Sequence, residues 1–100
     1  MKMYILIETT GLTADTVRAY LRALDTEDVT VRDADTVVGE YDIVASLESH
    51  SLDSLDTVVH ERILGHPHIE RITTCLVADP PPAIIAAQPS DYSALAAATR

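Results

Sequence analysis

The sequence predicts one α+β domain of the ferredoxin-like βαββαβ type, with a four-stranded antiparallel sheet and two helices on one face. Three observations predict this class. The spacing of the apolar residues along the chain is typical of a strand, a helix, two strands, a second helix and a last strand, in that order. A short Gly-containing connection joins the second and third strands, as in an antiparallel hairpin. The length of 100 residues leaves room for a single domain.

The first strand and the first helix lie at the N-terminal end. Met3–Thr10 is β-rich and mostly apolar, and Gly11 closes it. A helix is predicted from Thr13, because its hydroxyl can cap the first turn and Asp15 is well placed for the helix dipole. The predicted buried stripe follows the helical period: Val17, Tyr20, Leu21 and Leu24.

The second and third strands are predicted at Val29–Val38 and Tyr41–Glu48, with Gly39-Glu40 as the turn between them. Polar and apolar residues alternate along the third strand, which is the period of a sheet with one buried face. The apolar positions are Tyr41, Ile43, Ala45 and Leu47.

The second helix is predicted to start at Ser51, with Asp53 in its first turn, and to stop at Gly65 before Pro67. Ile69–Ala78 is the predicted fourth strand. The helix is expected to bury Leu52, Leu55, Val59 and Ile63, with Val58 beside them.

The chain divides into two segments. Residues 1–79 form the predicted ferredoxin-like domain, and three prolines from Pro80 to Pro82 end its last strand. Residues 80–100 are rich in Ala and have too little apolar bulk for a second domain, so a C-terminal extension is expected.

One face of the predicted sheet has no helix over it. Several strands place apolar side chains there, more than water covers comfortably. Packing of that face against a second copy is the simplest solution, and it gives the dimeric α/β-barrel arrangement.

The composition limits the classes of partner. Asp and Glu total 16 against 7 Lys and Arg, so the net charge is −9. An acidic surface repels phosphate, and direct nucleic-acid binding is therefore not expected. A single Lys among many Asp resembles the composition of proteins from salt-loving archaea.

The sequence also predicts the cellular setting. Cys75 is the only cysteine, which excludes an internal disulfide and agrees with a reducing cytosol. No apolar run approaches the ~20 residues that a membrane helix needs, so a cytoplasmic protein with no membrane partner is expected.

Three segments carry a family resemblance: Tyr4-Ile-Leu-Ile-Glu-Thr-Thr10, Val37-Val-Gly-Glu-Tyr-Asp-Ile-Val-Ala45 and Ile69-Glu-Arg-Ile-Thr-Thr-Cys-Leu-Val77. Their order and spacing over residues 3–78 resemble the C-terminal effector domain, or RAM domain, of Lrp/AsnC transcription regulators. The Gly39-Glu40-Tyr41-Asp42 stretch is the most specific part of the resemblance. Full-length members carry a helix-turn-helix domain before this unit, and the first predicted strand here begins at Met3, so a stand-alone effector domain is expected.

The resemblance implies an assembly and a ligand. It implies a homodimer that packs through the open sheet faces, often built further into an octameric ring of four dimers. It also implies an amino acid or a similar small metabolite bound between dimers, near the hairpin. A full-length Lrp-like regulator is a further expected partner.

The candidate ligand site is Gly39, Glu40, Tyr41 and Asp42. Backbone N–H groups near Gly39 can bind a ligand carboxylate, Asp42 can hold an ammonium group, and Tyr41 offers a flat apolar wall. The alternative is an ordinary hairpin turn, in which Gly39 supplies a positive φ and Asp42 caps backbone amides.

Thr73 and Thr74 are the other candidates, because their hydroxyls can bond a ligand. Adjacent strand residues point to opposite faces, so only one of them can face a pocket while the other packs inward. Thr74 is the preferred one. Threonine is also a good strand former, which is the alternative explanation for both.

No metal site and no cofactor are predicted. The spacing of His60, His66 and His68 matches no standard zinc motif, so loop histidines in water are expected. Cys75 has no base beside it in sequence and is expected to be a small core or interface hydrophobe.

The predicted function is that of a non-enzymatic regulatory module that binds an amino acid and acts through oligomerisation or partner proteins. Two alternatives remain open. One is a small dimeric α/β-barrel enzyme, such as a monooxygenase or isomerase, with a cavity inside each subunit. The other is a structural adaptor without a small-molecule ligand.

Overall fold

The computed structural model describes residues 1–78. The predicted extension over residues 80–100, with its boundary after residue 79, lies outside the described residues. The elements follow the predicted order: β1 Lys2–Thr9, α1 Ala14–Arg22, β2 Thr30–Thr36, β3 Ile43–Glu48, α2 Leu52–Val58 and β4 Ile69–Leu76. A π-helical turn over Val59–Ile63 continues α2.

The four strands form one antiparallel sheet in the order β2-β3-β1-β4. β1 is therefore a central strand, paired with β3 on one side and with β4 on the other. This topology confirms the predicted ferredoxin-like α+β fold.

The core lies between the sheet and the two helices. Ile5 and Ile7 of β1 alternate with the more exposed Leu6, so β1 buries one face against the helices. Both helices contribute aliphatic side chains to the same layer. The largest fully buried side chains are Ile5, Ile7, Leu21, Ile43, Leu47, Leu55, Ile63 and Val17.

The strands around the hairpin are shorter than predicted. β2 ends at Thr36 and β3 begins at Ile43, so the predicted bounds at Val38 and Tyr41 are wrong. β3 begins only after Asp42 because the Asp42 N–H donates to the Ile7 carbonyl of β1 at 2.8 Å, outside the regular ladder between β1 and β3. The turn region consequently includes Tyr41 and Asp42.

Two predictions about the helices are wrong in detail. Thr13 precedes α1, but its hydroxyl donates to the Thr10 carbonyl at 2.5 Å and does not cap the helix. Leu52 is 39% exposed, although the helical period predicts it in the buried stripe. It is the first residue of α2, and helical side chains tilt toward the N-terminus, so Leu52 extends past the edge of the core. Ser51 does cap α2, accepting from the Ser54 N–H at 3.3 Å.

Strand β4 is the least covered part of the sheet. Ile69 is its one buried residue and Ile72 is partly buried, whereas the residues from Thr73 to Leu76 are exposed. The core alternative for Cys75 is therefore wrong, and so is the expectation that one of the two threonines packs inward. The physical reason is that the helices cover the central strands and stop short of this edge.

Two leucines give a matched test of the core. Leu21→Ala removes a fully buried side chain and is expected to cost about 2–5 kcal/mol of unfolding free energy. Leu12→Ala, at a fully exposed position, is expected to change it by less than about 0.5 kcal/mol. Urea unfolding followed by circular dichroism at one protein concentration measures both, and equal losses would contradict this core.

Candidate functional site

The hairpin between β2 and β3 is closed by a bond from the Val37 N–H to the Asp42 carbonyl at 2.9 Å. Gly39 has φ +148°, a backbone conformation that residues with a side chain rarely adopt. Gly39 and Glu40 are exposed at the tip of this turn. The turn conformation therefore accounts for the glycine, as the plain-turn alternative states.

Asp42 ties the hairpin to the end of β1. Its Oδ2 accepts from the Thr9 N–H at 2.8 Å and from the Thr9 hydroxyl at 3.3 Å. A backbone N–H donated to a carboxylate is a charge-assisted bond, which is stronger than a neutral one. Both bonds use Oδ2, so the other oxygen, Oδ1, remains available to a further donor.

Tyr41 links the hairpin to the opposite side of the sheet. Its hydroxyl lies 3.0 Å from the Thr73 Oγ1 on β4. Because β1 lies between β3 and β4, the Tyr41 side chain passes over β1 to make this bond. The hairpin and β4 are thereby joined on one face of the sheet.

The register decides which threonine is near Tyr41. Thr73 is paired with Leu6, so it lies on the open face, which is the sheet face opposite the helices. Thr74 is paired with Ile5 and therefore lies on the helix side. The structure therefore places Thr73, and not Thr74, beside Tyr41.

A charged pair completes this region, and the sequence analysis did not include it in the site. The Arg71 guanidinium forms an ion pair with the Glu8 carboxylate, its register partner on β1. Arg71 lies two residues before Thr73, on the same face of β4. Only the pairing of β1 with β4 brings these charges together, since they are 63 residues apart in the chain.

We call the six side chains of these three bonded pairs the hairpin cluster. They offer one guanidinium, two carboxylates, three hydroxyls and one aromatic ring on adjacent strands. Such a set can bind a zwitterion, because carboxylates pair with a guanidinium and ammonium groups pair with carboxylates. The cluster consists of Glu8, Thr9, Tyr41, Asp42, Arg71 and Thr73.

Two surface clefts lie at the opposite end of the sheet. One, of about 340 Å³, lies between the loop Thr26–Val29 and helix α2 and is lined mainly by polar and acidic groups. The other, of about 720 Å³, lies beside Met1, Thr30 and Glu48. Neither includes a residue of the hairpin cluster.

The prediction of loop histidines is wrong for His60, which lies in the π-helical turn with its Nδ1 2.8 Å from the Asp56 carbonyl oxygen. His66 packs edge-on against Tyr20, with ring centroids 4.5 Å apart, and its Nδ1 accepts from the His68 N–H at 3.1 Å. Within residues 1–78, no three His, Cys, Asp or Glu side chains are grouped to hold a metal ion. None of the helices in that part of the chain is long and apolar enough to cross a membrane.

Asp42 offers a test of the local geometry. Asp42→Ala leaves the Thr9 N–H without its acceptor and is expected to cost about 1 kcal/mol of unfolding free energy. Asp42→Asn keeps an oxygen acceptor and should cost less. Hydrogen exchange of the Thr9 amide measures the contact directly, and unchanged exchange in the Ala variant would contradict the bond.

Comparisons with known proteins identify the family. The model of the Lrp/AsnC ligand binding domain matches residues 2–81. No curated protein matches the chain.

Solved structures agree with this match. FFRP-DM1 is 28% identical, with a TM-score of 0.71, over 77% of this chain and 97% of that one. TTHA0845 from Thermus thermophilus is 27% identical, with a TM-score of 0.70, over 81% of this chain and 96% of that one. AsnC of E. coli shares the fold at 23% identity and a TM-score of 0.68, and the chain covers 53% of its length. The chain belongs to the Lrp/AsnC ligand-binding domain family, and it is a regulatory ligand-binding module.

Proposed function

We propose that this protein binds an amino acid or a similar small metabolite at the hairpin cluster and regulates other proteins through its own assembly. The observation that carries the proposal is the Tyr41–Thr73 bond across β1. It joins the hairpin, which carries Asp42, to β4, where Arg71 forms its ion pair with Glu8 on the same face as Thr73. Family membership supports the ligand, and the geometry supports its position.

The charges of the cluster suit the two ends of an amino acid. In our proposal Arg71 binds the ligand carboxylate, helped by backbone N–H groups beside Gly39. The Oδ1 of Asp42 accepts from the ligand ammonium, while Oδ2 stays on Thr9. Tyr41 packs on the ligand side chain, and Thr73 supplies a hydroxyl. Glu40 lies at the rim of this site, whereas Thr74 is omitted because it lies on the other side of the sheet.

The open face supports assembly into a dimer. Its middle contains Tyr4, Leu6 and Val44, of which Tyr4 is 39% exposed. Ser46 lies among them, with its hydroxyl buried and unpaired among the described residues. A second copy that covers this face removes apolar surface from water, which stabilises the folded chain by about 25 cal/mol per Å².

Ligand binding and assembly are coupled in this proposal. The hairpin cluster is open to solvent, and Arg71 keeps 61% of its side chain exposed. A ligand at this position is enclosed only when another dimer packs on it. A ligand that prefers the larger assembly, up to the octamer, therefore increases the population of that assembly.

The charge of the chain supports a regulatory role through proteins. At a net charge of −9, direct contact with nucleic acid is unfavourable. A full-length Lrp-like regulator with the same open face is the partner that we propose, in the cytoplasm. Ligand binding to this chain would then alter the assembly of that regulator, and this chain would not bind DNA itself.

Calorimetric titration with each of the twenty standard amino acids tests the proposal. We expect one or a few of them to bind and to increase the mass measured by sedimentation. No heat with any of them, together with an unchanged mass, would contradict the proposal.

Two arginines provide a matched pair for the site itself. Arg71→Gln is expected to weaken binding by about tenfold or more, because it removes a charge-assisted bond. Arg32→Gln is the control, since Arg32 is equally exposed and is also ion-paired, to Glu48, at the other end of the sheet. It should change affinity by less than about twofold, and equal losses in the two variants would place the site elsewhere.

A further inference from the structure

The two edges of the sheet differ in how they are protected. The edge strand β2 contains a bulge between Val31 and Asp33. The Nε atoms of Arg18 and Arg22 on α1 both donate to the Ala34 carbonyl of β2, each at 3.1 Å. Bulges, charged side chains and occupied carbonyls all prevent an edge from pairing with another strand. The β2 edge is therefore closed.

The β4 edge has its bulge and its one carboxylate at Glu70, beside the end of β1, and the residues from Arg71 onward form a regular ladder with β1. Residues 71–78 contain no carboxylate, and Arg71 is their only charge, in a protein with a net charge of −9. The segment from Ile72 to Leu76 is rich in β-branched and apolar residues. Leu76 is 47% exposed, and Thr74 beside it is also exposed. A regular edge segment that carries no charge from Ile72 to Leu76 is a surface for pairing with another chain.

The hydrogen-bond register defines which groups are free. The Val77 N–H donates to the Lys2 carbonyl at 2.8 Å, so Val77 is a hydrogen-bonded position of the ladder with β1. Positions alternate along an antiparallel pair. The N–H and C=O groups of Ile72, Thr74 and Leu76 consequently point away from the sheet. Their side chains lie on the helix side, where Ile72 packs against the core and Thr74 and Leu76 are exposed.

We infer that β4 pairs antiparallel with β4 of a second copy, about a two-fold axis through Thr74. In this register Thr74 lies opposite Thr74 of the second copy, and Ile72 lies opposite Leu76 of the second copy. Every outward N–H and C=O group of these residues therefore has a hydrogen-bond partner. The Ile72–Leu76 pairs bring apolar side chains together on the helix side. Arg71 faces Val77, so no two like charges are opposed.

This interface is separate from a contact through the open face. A dimer through the open face covers Tyr4 and Cys75 and leaves Thr74, on the other side of the sheet, exposed. The edge contact extends the four-stranded sheet of one copy into a continuous eight-stranded sheet. Its contacts are apolar and hydrogen-bonded, so salt strengthens them by screening the repulsion between two acidic chains.

The first test compares two lysine substitutions in the full chain. Thr74→Lys places two ammonium groups opposite each other at the axis, whereas Leu12→Lys adds the same charge at a fully exposed position outside the edge. Sedimentation at 0.15 M and 1 M salt should show the mass of the Thr74 variant reduced by half relative to the Leu12 variant. Equal masses for the two variants would overturn the inference.

The second test identifies the contact by cross-linking. Hydrogen-bonded antiparallel partners have Cα atoms about 5.5 Å apart, which a disulfide can span. In a Cys75→Ser background, Thr74→Cys should give a covalent dimer on mild oxidation, while Leu12→Cys should stay unlinked. No covalent dimer with Thr74→Cys would overturn the inference, because an open-face contact or coverage of β4 by other residues keeps these positions apart.

Discussion

The position of β1 in the middle of the sheet is the constraint on which the rest of the molecule depends. Its helix-facing residues, Ile5 and Ile7, are fully buried, and its backbone pairs with β3 and β4 at the same time. At its C-terminal end, Thr9 donates twice to Asp42 and so holds the hairpin in place. Tyr41 can reach Thr73 because both the hairpin and β4 are positioned against β1.

The same arrangement explains why the two faces and the two edges of the sheet differ. The helices cover the central strands, so the helix face of β4 beyond Ile72 stays exposed. Two arginines of α1 close the β2 edge at Ala34. The outward backbone groups of β4 have no partner among residues 1–78, and residues 71–78 contain no carboxylate. Two copies of an acidic protein repel each other least where the charge is lowest, since burying like charges opposite each other is unfavourable.

The sequence was sufficient for the fold because burial on one face leaves a periodic pattern. Ile43, Ala45 and Leu47 alternate in β3, and all three are buried, as alternation predicts. The exposure of Leu52 was missed because the spacing of apolar residues does not show where a helix leaves the core. The π-helical turn after Val58 has no signal in that spacing either.

The candidate site could be predicted only in part. Tyr41 and Asp42 were found through a local motif, but the contacts that they make depend on strand register. A shift of one residue in the pairing of β1 with β4 would exchange Thr73 for Thr74 on the open face. Glu8 and Arg71 were missed for the same reason, since their pairing is a property of the sheet and not of either segment.

The most direct test of this account is amide chemical-shift mapping of the full chain during titration with amino acids. We expect the largest changes at Thr9, at Gly39–Asp42 and at Arg71–Thr73, because these backbone groups surround the proposed ligand. The changes should saturate at the same ligand concentration as the increase in mass. Changes centred on the cleft between Thr26–Val29 and α2, with none at the hairpin cluster, would contradict the account.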